Sequence, residues 1–334
     1  MVSFDNHILY NFFDIENKTL NYKVVEDFLD SKHPVRIIYQ IWDVCHMSKD
    51  AWTHIRSILG QASKKSRVIL VLADWLHNKV EADLSGLDIE VHYVNGIGLI
   101  AYHDLFYRKR CPMNITWKPH SNFLFLTGKW SKTNRFPLFK KLLEQSLLNH
   151  AIYSLYLPES HEYSRFNSNP DNVNTSLVGH TPAIPYDHTM YQRTGFRLIS
   201  ETEYDTDLSH LYEQGDDPWL TEKTWLTILN KHPFIMAGQK GTLAKLKRLG
   251  YKTFEEYLPY KYDDIDNVSR LDLIVENVKY LTENIKNHHD MLYDIEFNYR
   301  HFCSQAETDL SLVSDIIKRH DLNCDIRDII TAQF

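Results

Sequence analysis

Short apolar runs alternate along the chain with segments in which apolar residues recur every three or four positions. In the first third of the chain, the runs Val35–Trp42, Val68–Ala73 and Ile89–Val94 have the length of strands, so we predict three buried strands. Between the first two runs, residues 48–62 have the spacing of an amphipathic helix, and Ser48 is a suitable N-cap. Strands separated by helices favour βαβ units around a parallel sheet.

The same alternation begins again after residues 111–119, which contain two prolines and which we interpret as a linker. In this second part, Thr221 is suited to cap a helix that begins at Glu222. Residues 159–190 are polar and lack periodicity, which is typical of a functional or mobile segment. The remaining predicted strands are 123–126, 151–157, 196–199 and 233–237, and the remaining predicted helices are 136–148, 241–249 and a helical C-terminus from 271 onward.

Together the two parts predict an α/β fold of two Rossmann-like domains, residues 1–118 and 119–334, with a helical C-terminus. In open parallel sheets, ligands bind beyond the carboxyl ends of the strands. We therefore expect the two domains to face each other across a cleft that contains the binding site.

Composition narrows the class of protein. The chain has 334 residues, of which 43% are hydrophobic, as expected for ordinary globular cores. It has no apolar run long enough to cross a bilayer and no signal-peptide pattern at its start, so we expect no membrane partner. The four cysteines show no C-x-x-C spacing, which favours free thiols in a reducing compartment and a cytoplasmic location.

The net charge of −7 argues against a dedicated nucleic-acid-binding protein, because such proteins usually carry a basic surface. A local basic face can still exist on an acidic protein. Residues 108–110 contain three basic side chains and residues 129–141 contain five, so these two segments are candidates for such a face.

The pair Glu222-Lys223 opens the helical pattern that follows Thr221. A lysine at a helix N-terminus can neutralise a phosphate group that the helix dipole and the backbone amides already favour. A neighbouring glutamate can accept hydrogen bonds from a ribose. The pair therefore indicates a nucleotide-diphosphate site, although an exposed first helical turn with a favourable charge for the dipole has the same pattern.

Three runs in the second half, residues 196–202, 219–223 and 233–238, resemble the donor-binding region of fucosyltransferase-like glycosyltransferases of the GT-B type. The strand at 123–129 and the following Arg135 resemble an earlier part of the same family. Farther along, the run from Gly241 to Phe254, with Tyr262, Asp263 and Arg270 after it, is similar to glycosyltransferases of tailed bacteriophages, some of which glycosylate hydroxymethylated bases in DNA. The resemblance covers roughly residues 122–280.

The resemblance implies a glycosyltransferase that uses a UDP-sugar or a GDP-sugar as co-substrate and needs no other cofactor. It implies that Lys223 stabilises the departing diphosphate, that Arg135 or Arg193 clamps it, and that Glu222 binds the ribose. Glu-Thr-Glu at 201–203 and Trp219 depart from the family pattern, so the donor sugar and the base stay open. The full set of implied donor-binding residues is Lys129, Arg135, Arg193, Glu201, Thr202, Trp219, Thr221, Glu222 and Lys223.

An inverting transfer needs a base that removes the proton of the acceptor hydroxyl. Asp43 and Asp74 follow predicted strands, where an α/β sheet exposes catalytic groups, although each residue could instead cap a following turn. Glu201 could act near the donor sugar. Two Asp-x-Asp matches, 205–207 and 264–266, would suit a divalent metal, but we predict a metal-independent reaction, since in a two-Rossmann architecture a helix dipole and basic residues replace the metal.

The sequence leaves the identity of the acceptor open. One hypothesis is 5-hydroxymethylcytosine in phage DNA, modified in the cytoplasm of the host cell, because the phage-like run and the two basic segments favour it. A second hypothesis, a surface glycan or a protein, fits the acidic net charge better. A third hypothesis is a non-catalytic module that binds nucleotide or DNA.

Overall fold

In the structure, a computed structural model, the chain divides into two compact units. The first unit comprises residues 1–100, 207–214 and 305–334, and the second comprises 101–206 and 215–304. The structure describes residues 2–4, 7–10, 13–14, 19–20, 22–30, 35–40, 49–73, 84–95, 98–99, 102, 121–127, 134–155, 157–166, 188–202, 204, 218–284 and 290–320.

The first unit contains a five-stranded sheet in the order β1-β2-β5-β6-β7. Strands β2, β5, β6 and β7 run parallel, and β1 pairs antiparallel with β2. The residues from Val68 to Val71 in β6 are buried, as expected for a strand covered on both faces. The strands of this unit are β1 Val2–Phe4, β2 His7–Tyr10, β3 Phe13–Asp14, β4 Thr19–Leu20, β5 Val35–Gln40, β6 Arg67–Ala73 and β7 Ile89–Val94, with β3 and β4 forming a separate hairpin.

Two helices accompany this sheet, α1 at Tyr22–Asp30 and α2 at Lys49–Ala62. Helix α2 buries Ile55, Ile58 and Leu59, and these positions produced the predicted periodicity. The predicted helix and the three predicted strands are therefore confirmed, and the last two residues of the first predicted strand, 41 and 42, lie outside the described residues. The first four strands and α1 had not been predicted from the pattern.

The second unit contains a four-stranded sheet in the order β11-β10-β8-β9, and all of its pairs are parallel. Every residue of β10 and β11 is buried, so these two strands form the centre of the core. The predicted strand at 151–157 is shorter in the structure. The strands are β8 Ser121–Leu126, β9 Ala151–Ser154, β10 Thr194–Ser200 and β11 Phe234–Ala237.

The helices of the second unit cover this parallel sheet. The predicted N-cap is confirmed, because the Thr221 side chain accepts a hydrogen bond from the Lys223 amide. Helix α7 buries Ile274, Val275 and Val278 along one stripe. The helices are α3 Arg135–Glu144, α4 His188–Gln192, α5 Glu222–Leu229, α6 Thr242–Arg248, α7 Asn267–Asn284 and α8 Leu292–Arg319, and α8 belongs to the first unit from residue 305 onward.

The predicted α/β class is confirmed by two sheets that are mainly parallel and by the helices beside them. The GT-B pairing of two facing Rossmann-like domains and the boundary near residue 118 stay predictions, and the proposed linker at 111–119 lies outside the described residues. Among the helices that the structure describes, none combines the length and the apolar character that a membrane span requires.

Candidate functional site

The strand order of the second sheet reverses between β8 and β10. The chain goes from β8 to β9 on one side and later from β10 to β11 on the other side. Such a reversal opens a crevice at the carboxyl ends of the strands, and this crevice is the usual ligand site of an open α/β sheet. Helix α3 begins after β8, and helix α5 begins after β10. We call residues 134–135, 200–202 and 221–223, which surround this point, the switch-point site.

Glu201 lies directly after β10 and has no exposed surface (0%). Its Oε1 accepts hydrogen bonds from the backbone N–H of Thr221 at 3.1 Å and from the hydroxyl of Thr224 at 2.6 Å. Its Oε2 accepts a hydrogen bond from the Thr221 hydroxyl. A carboxylate at this place also interacts favourably with the positive end of α5. Glu201 thus fastens the start of α5 to the end of β10, and a direct role in catalysis or donor binding stays a prediction.

Lys223 lies in the first turn of α5, with its ammonium group facing three oxygen atoms. Its Nζ is 2.9 Å from Oε1 of Glu222, 3.1 Å from Oγ1 of Thr221 and 3.4 Å from Oγ1 of Thr202. Both members of the Glu222–Lys223 ion pair are partly buried, at 22% and 13% side-chain exposure. With Glu201, the structure therefore brings together five of the predicted donor-binding residues at one helix start.

Burial and charge act in opposite directions on Glu222. Burial by itself raises the pKa of its carboxyl group, but the charge and hydrogen bond of Lys223 and, to a smaller extent, the charge of Arg135 hold that pKa below its ordinary value. Glu222 is consequently an ionised hydrogen-bond acceptor at neutral pH. Lys223 contacts this carboxylate directly, and Arg135 acts on it only through its charge.

The first amide groups of α5 are engaged within the protein. The Lys223 amide donates to Oγ1 of Thr221 at 3.4 Å, and the Thr224 amide donates to the Thr221 carbonyl at 3.1 Å. A phosphate group that used these amides, as the sequence suggested, would have to replace Thr221 as their acceptor.

Helix α3 begins differently, with Asn134 and Arg135, which are only 1% and 4% exposed. The Nδ2 of Asn134 donates to Oγ of Ser200 and to the carbonyl of Ala237, both at 3.2 Å, so Asn134 connects α3 to the ends of β10 and β11. It makes no capping hydrogen bond to the helix, and its buried Oδ1 has no hydrogen-bond partner. At the switch-point site, α5 therefore begins with a side-chain N-cap, and α3 begins without one.

Some of the other predicted donor-binding and catalytic residues do not lie at the switch-point site. Trp219 is buried just before α5, and its backbone N–H donates to Oε1 of Gln239 at 2.8 Å. Arg193 is exposed and precedes β10 at its amino end, roughly 20 Å along a seven-residue strand from the switch-point site, so the structure does not bring it to the other residues. Lys129, Asp43 and Asp74 lie outside the described residues.

Metal ligation has no candidate in the part of the chain that the structure describes, because no three His, Cys, Asp or Glu side chains there could hold an ion together. Of the two Asp-x-Asp matches, 205–207 lies outside that part. In the other match, Asp266 accepts hydrogen bonds from the amides of Val268 and Ser269, both at 3.2 Å, and thus caps α7. A metal-independent reaction stays a prediction.

Asn134 of this site, and Thr224 beside it, were not singled out from the sequence. Thr224 occupies the third helical position after Thr221, where capping side chains are common, so a local signal for it existed. Asn134 contacts residues 66 and 103 positions away, and only the strand order places those residues beside it.

No model of a known protein family matches the sequence, and a search of curated proteins finds no match either. The functional assignment therefore depends on the residues and contacts of the switch-point site. A site with two cations, one ionised carboxylate and a helix start without a side-chain cap is suited to a ligand that carries both phosphate and hydroxyl groups.

Proposed function

We propose that the chain is a nucleotide-sugar-dependent glycosyltransferase whose donor diphosphate lies at the switch-point site. The observation that carries this proposal is the partly buried ion pair of Lys223 and Glu222 at the start of α5, beside the point where the strand order reverses. The N-terminus of α3 adds a positive helix end whose first turn Asn134 does not cap.

In the proposed reaction, the acceptor oxygen attacks the anomeric carbon of the sugar, and the bond from that carbon to the phosphate oxygen breaks. The diphosphate leaves with the bonding electron pair, and a carboxylate takes the proton of the acceptor hydroxyl. Lys223 and Arg135 stabilise the negative charge that develops on the diphosphate. Glu222, being ionised, accepts hydrogen bonds from the ribose hydroxyls.

The base that takes the proton is proposed to be Asp43 or Asp74, which follow the ends of β5 and β6 in the sequence. The contacts of Glu201 favour a different role for that residue. Three donors engage its carboxylate, and it has no exposed surface. Glu201 in this proposal positions α5, and inversion at the anomeric carbon rests on family analogy alone.

The proposed acceptor is 5-hydroxymethylcytosine in phage DNA, on the basis of the phage-like run after Gly241 and the basic segments at 108–110 and 129–141. A duplex acceptor has to rotate its target base out of the helix before transfer. A surface glycan or a protein is the alternative acceptor, which the net charge of −7 favours.

The test begins with binding of UDP-sugars and GDP-sugars, measured by calorimetry and by the rise in melting temperature that a native-state ligand causes. Lys223→Ala is expected to weaken donor binding and turnover at least tenfold, because a charge-assisted contact contributes about 1.5–3 kcal/mol. The matched control is Lys261→Ala, since Lys261 is an exposed lysine of the same unit.

Transfer is then measured with hydroxymethylated DNA, unmodified DNA and a glycan mixture. Sugar transfer to hydroxymethylated DNA alone supports the DNA acceptor, and transfer to glycan alone replaces it with the second acceptor. A wild-type protein that binds DNA without binding any nucleotide sugar would instead be the non-catalytic module, and the proposed function would be wrong.

A further inference from the structure

Six aromatic side chains gather beside the switch-point site. Phe136, the residue after Arg135, lies edge-to-face with His161 at a ring distance of 4.9 Å and with Tyr163 at 5.5 Å. Phe139 in the next turn of α3 contacts Tyr153 and Phe166 at 6.1 Å and 6.3 Å. We call these six residues the aromatic cluster. They come from α3, from β9 and from the segment that follows β9.

The aromatic cluster is only partly buried. Phe139 is fully buried, and it accounts for the packing of α3 against the core. Phe136, His161 and Tyr163 each retain an intermediate exposure, although they contact one another. A group of large rings that stays accessible beside a crevice is more typical of a ligand surface than of a core.

The position of these rings relative to the phosphate-binding groups is fixed by the chain. Arg135 and Phe136 are neighbours in the first turn of α3, so their Cα atoms are about 3.8 Å apart. β9, which leads into residues 157–166, pairs with β8 at the side of the switch point where α3 begins. A nucleotide whose diphosphate contacts Arg135 therefore has its nucleoside within reach of Phe136.

We propose that Phe136, His161 and Tyr163 form the surface that binds the nucleobase of the donor. This assignment rests on the proposed function, since it presumes a nucleotide at the switch-point site. Aromatic faces stack on a planar base, and the edge-to-face arrangement of the three rings leaves faces in different directions for it.

A hydrogen bond orients one ring of this surface. The Nδ1 of His161 accepts from the backbone N–H of Tyr163 at 3.2 Å, so the segment that follows β9 fixes the direction of the imidazole. Stacking on aromatic rings tolerates any base, because every base has a π-face, and we therefore assign the surface to nucleobases as a class.

Phe136→Leu tests this assignment, because leucine keeps the apolar volume beside Phe139 and removes the stacking face. Phe136→Tyr keeps that face. The matched control is Phe297→Leu, since Phe297 on α8 is a half-exposed ring that stacks on His301. Binding of UDP, GDP and inorganic pyrophosphate is measured by calorimetry for the wild type and the three variants, and melting temperature confirms that each variant folds.

For the better of UDP and GDP, Phe136→Leu is expected to weaken binding about tenfold and to leave pyrophosphate binding unchanged. Phe136→Tyr and Phe297→Leu are expected to bind as the wild type does. Equal losses for nucleotide and pyrophosphate, or no loss in Phe136→Leu, would overturn the stacking assignment.

One other outcome has a separate meaning. A wild-type protein that binds no nucleotide at all would overturn the proposed function itself, and the assignment of the aromatic cluster with it.

Discussion

Replacing Glu201 by glutamine removes one negative charge from the start of α5 and changes almost nothing in size. The Thr221 hydroxyl donates to Oε2 of Glu201 and also accepts from the amide and the ammonium of Lys223. Oε1 accepts from two further donors, the Thr221 amide and the Thr224 hydroxyl. Whichever way the glutamine amide is turned, its NH₂ group therefore meets at least one donor.

The expected cost follows from these contacts. Losing one buried hydrogen bond to a charged group costs about 1.5–3 kcal/mol. Losing the interaction of the charge with the helix dipole adds roughly 0.3–1 kcal/mol. We therefore expect Glu201→Gln to lower the free energy of unfolding by about 2–4 kcal/mol, which is a large part of the stability of an ordinary domain.

Urea denaturation followed by far-UV circular dichroism measures this difference. Glu283→Gln is the matched control, because Glu283 is an exposed glutamate of the same unit and is expected to change stability by less than about 0.5 kcal/mol. If Glu201→Gln unfolds at the same urea concentration as the control, Glu201 does not fasten α5 to β10, and the positioning role assigned to it is wrong.

Three further predictions concern neighbouring groups. The folded-state pKa of Glu222 lies below its ordinary value of 4.5, so its ion pair with Lys223 stabilises the folded protein above about pH 4.5. This contribution is lost as the pH falls through the lower folded pKa, and urea denaturation should show the gap between wild type and Glu222→Gln closing there; a constant gap would contradict it. Asp263→Ala removes the acceptor of the amides of Leu243 at 3.0 Å and Ala244 at 2.9 Å, so its unfolding free energy should fall by about 1–2 kcal/mol. The exposed neighbour Asp264, changed to alanine, should leave that free energy nearly unchanged. Sugar transfer is expected to persist in EDTA, and a loss that only Mn²⁺ or Mg²⁺ restores would show that the reaction needs a metal.

Local sequence patterns were sufficient to predict most of the helices and strands in the described residues. The Thr221 cap, for example, depends on atoms within two positions of it in the chain. The candidate site depends on information of another kind. The role of Glu201 comes from donors 20 and 23 positions away, and the role of Asn134 comes from the order in which β10 and β11 join the sheet.

Arg193 is a second case in which the local sequence was not sufficient to place a site residue. In the sequence it stands close to a strand that ends at the site, and this made it a reasonable candidate for a diphosphate clamp. In the structure it stands at the amino end of that strand. Which end of a strand carries the binding groups depends on strand direction and pairing, and neither is encoded in the residue types beside Arg193.

The contact between Glu201 and Thr221 also closes a loop, because it joins two residues that are 20 positions apart. Once the two ends are joined, the entropy of the chain between them depends only on the logarithm of its length, and doubling that length costs about 0.6 kcal/mol. The hold of α5 on β10 therefore depends on the contact between Glu201 and Thr221 and only weakly on how many residues separate them in the chain.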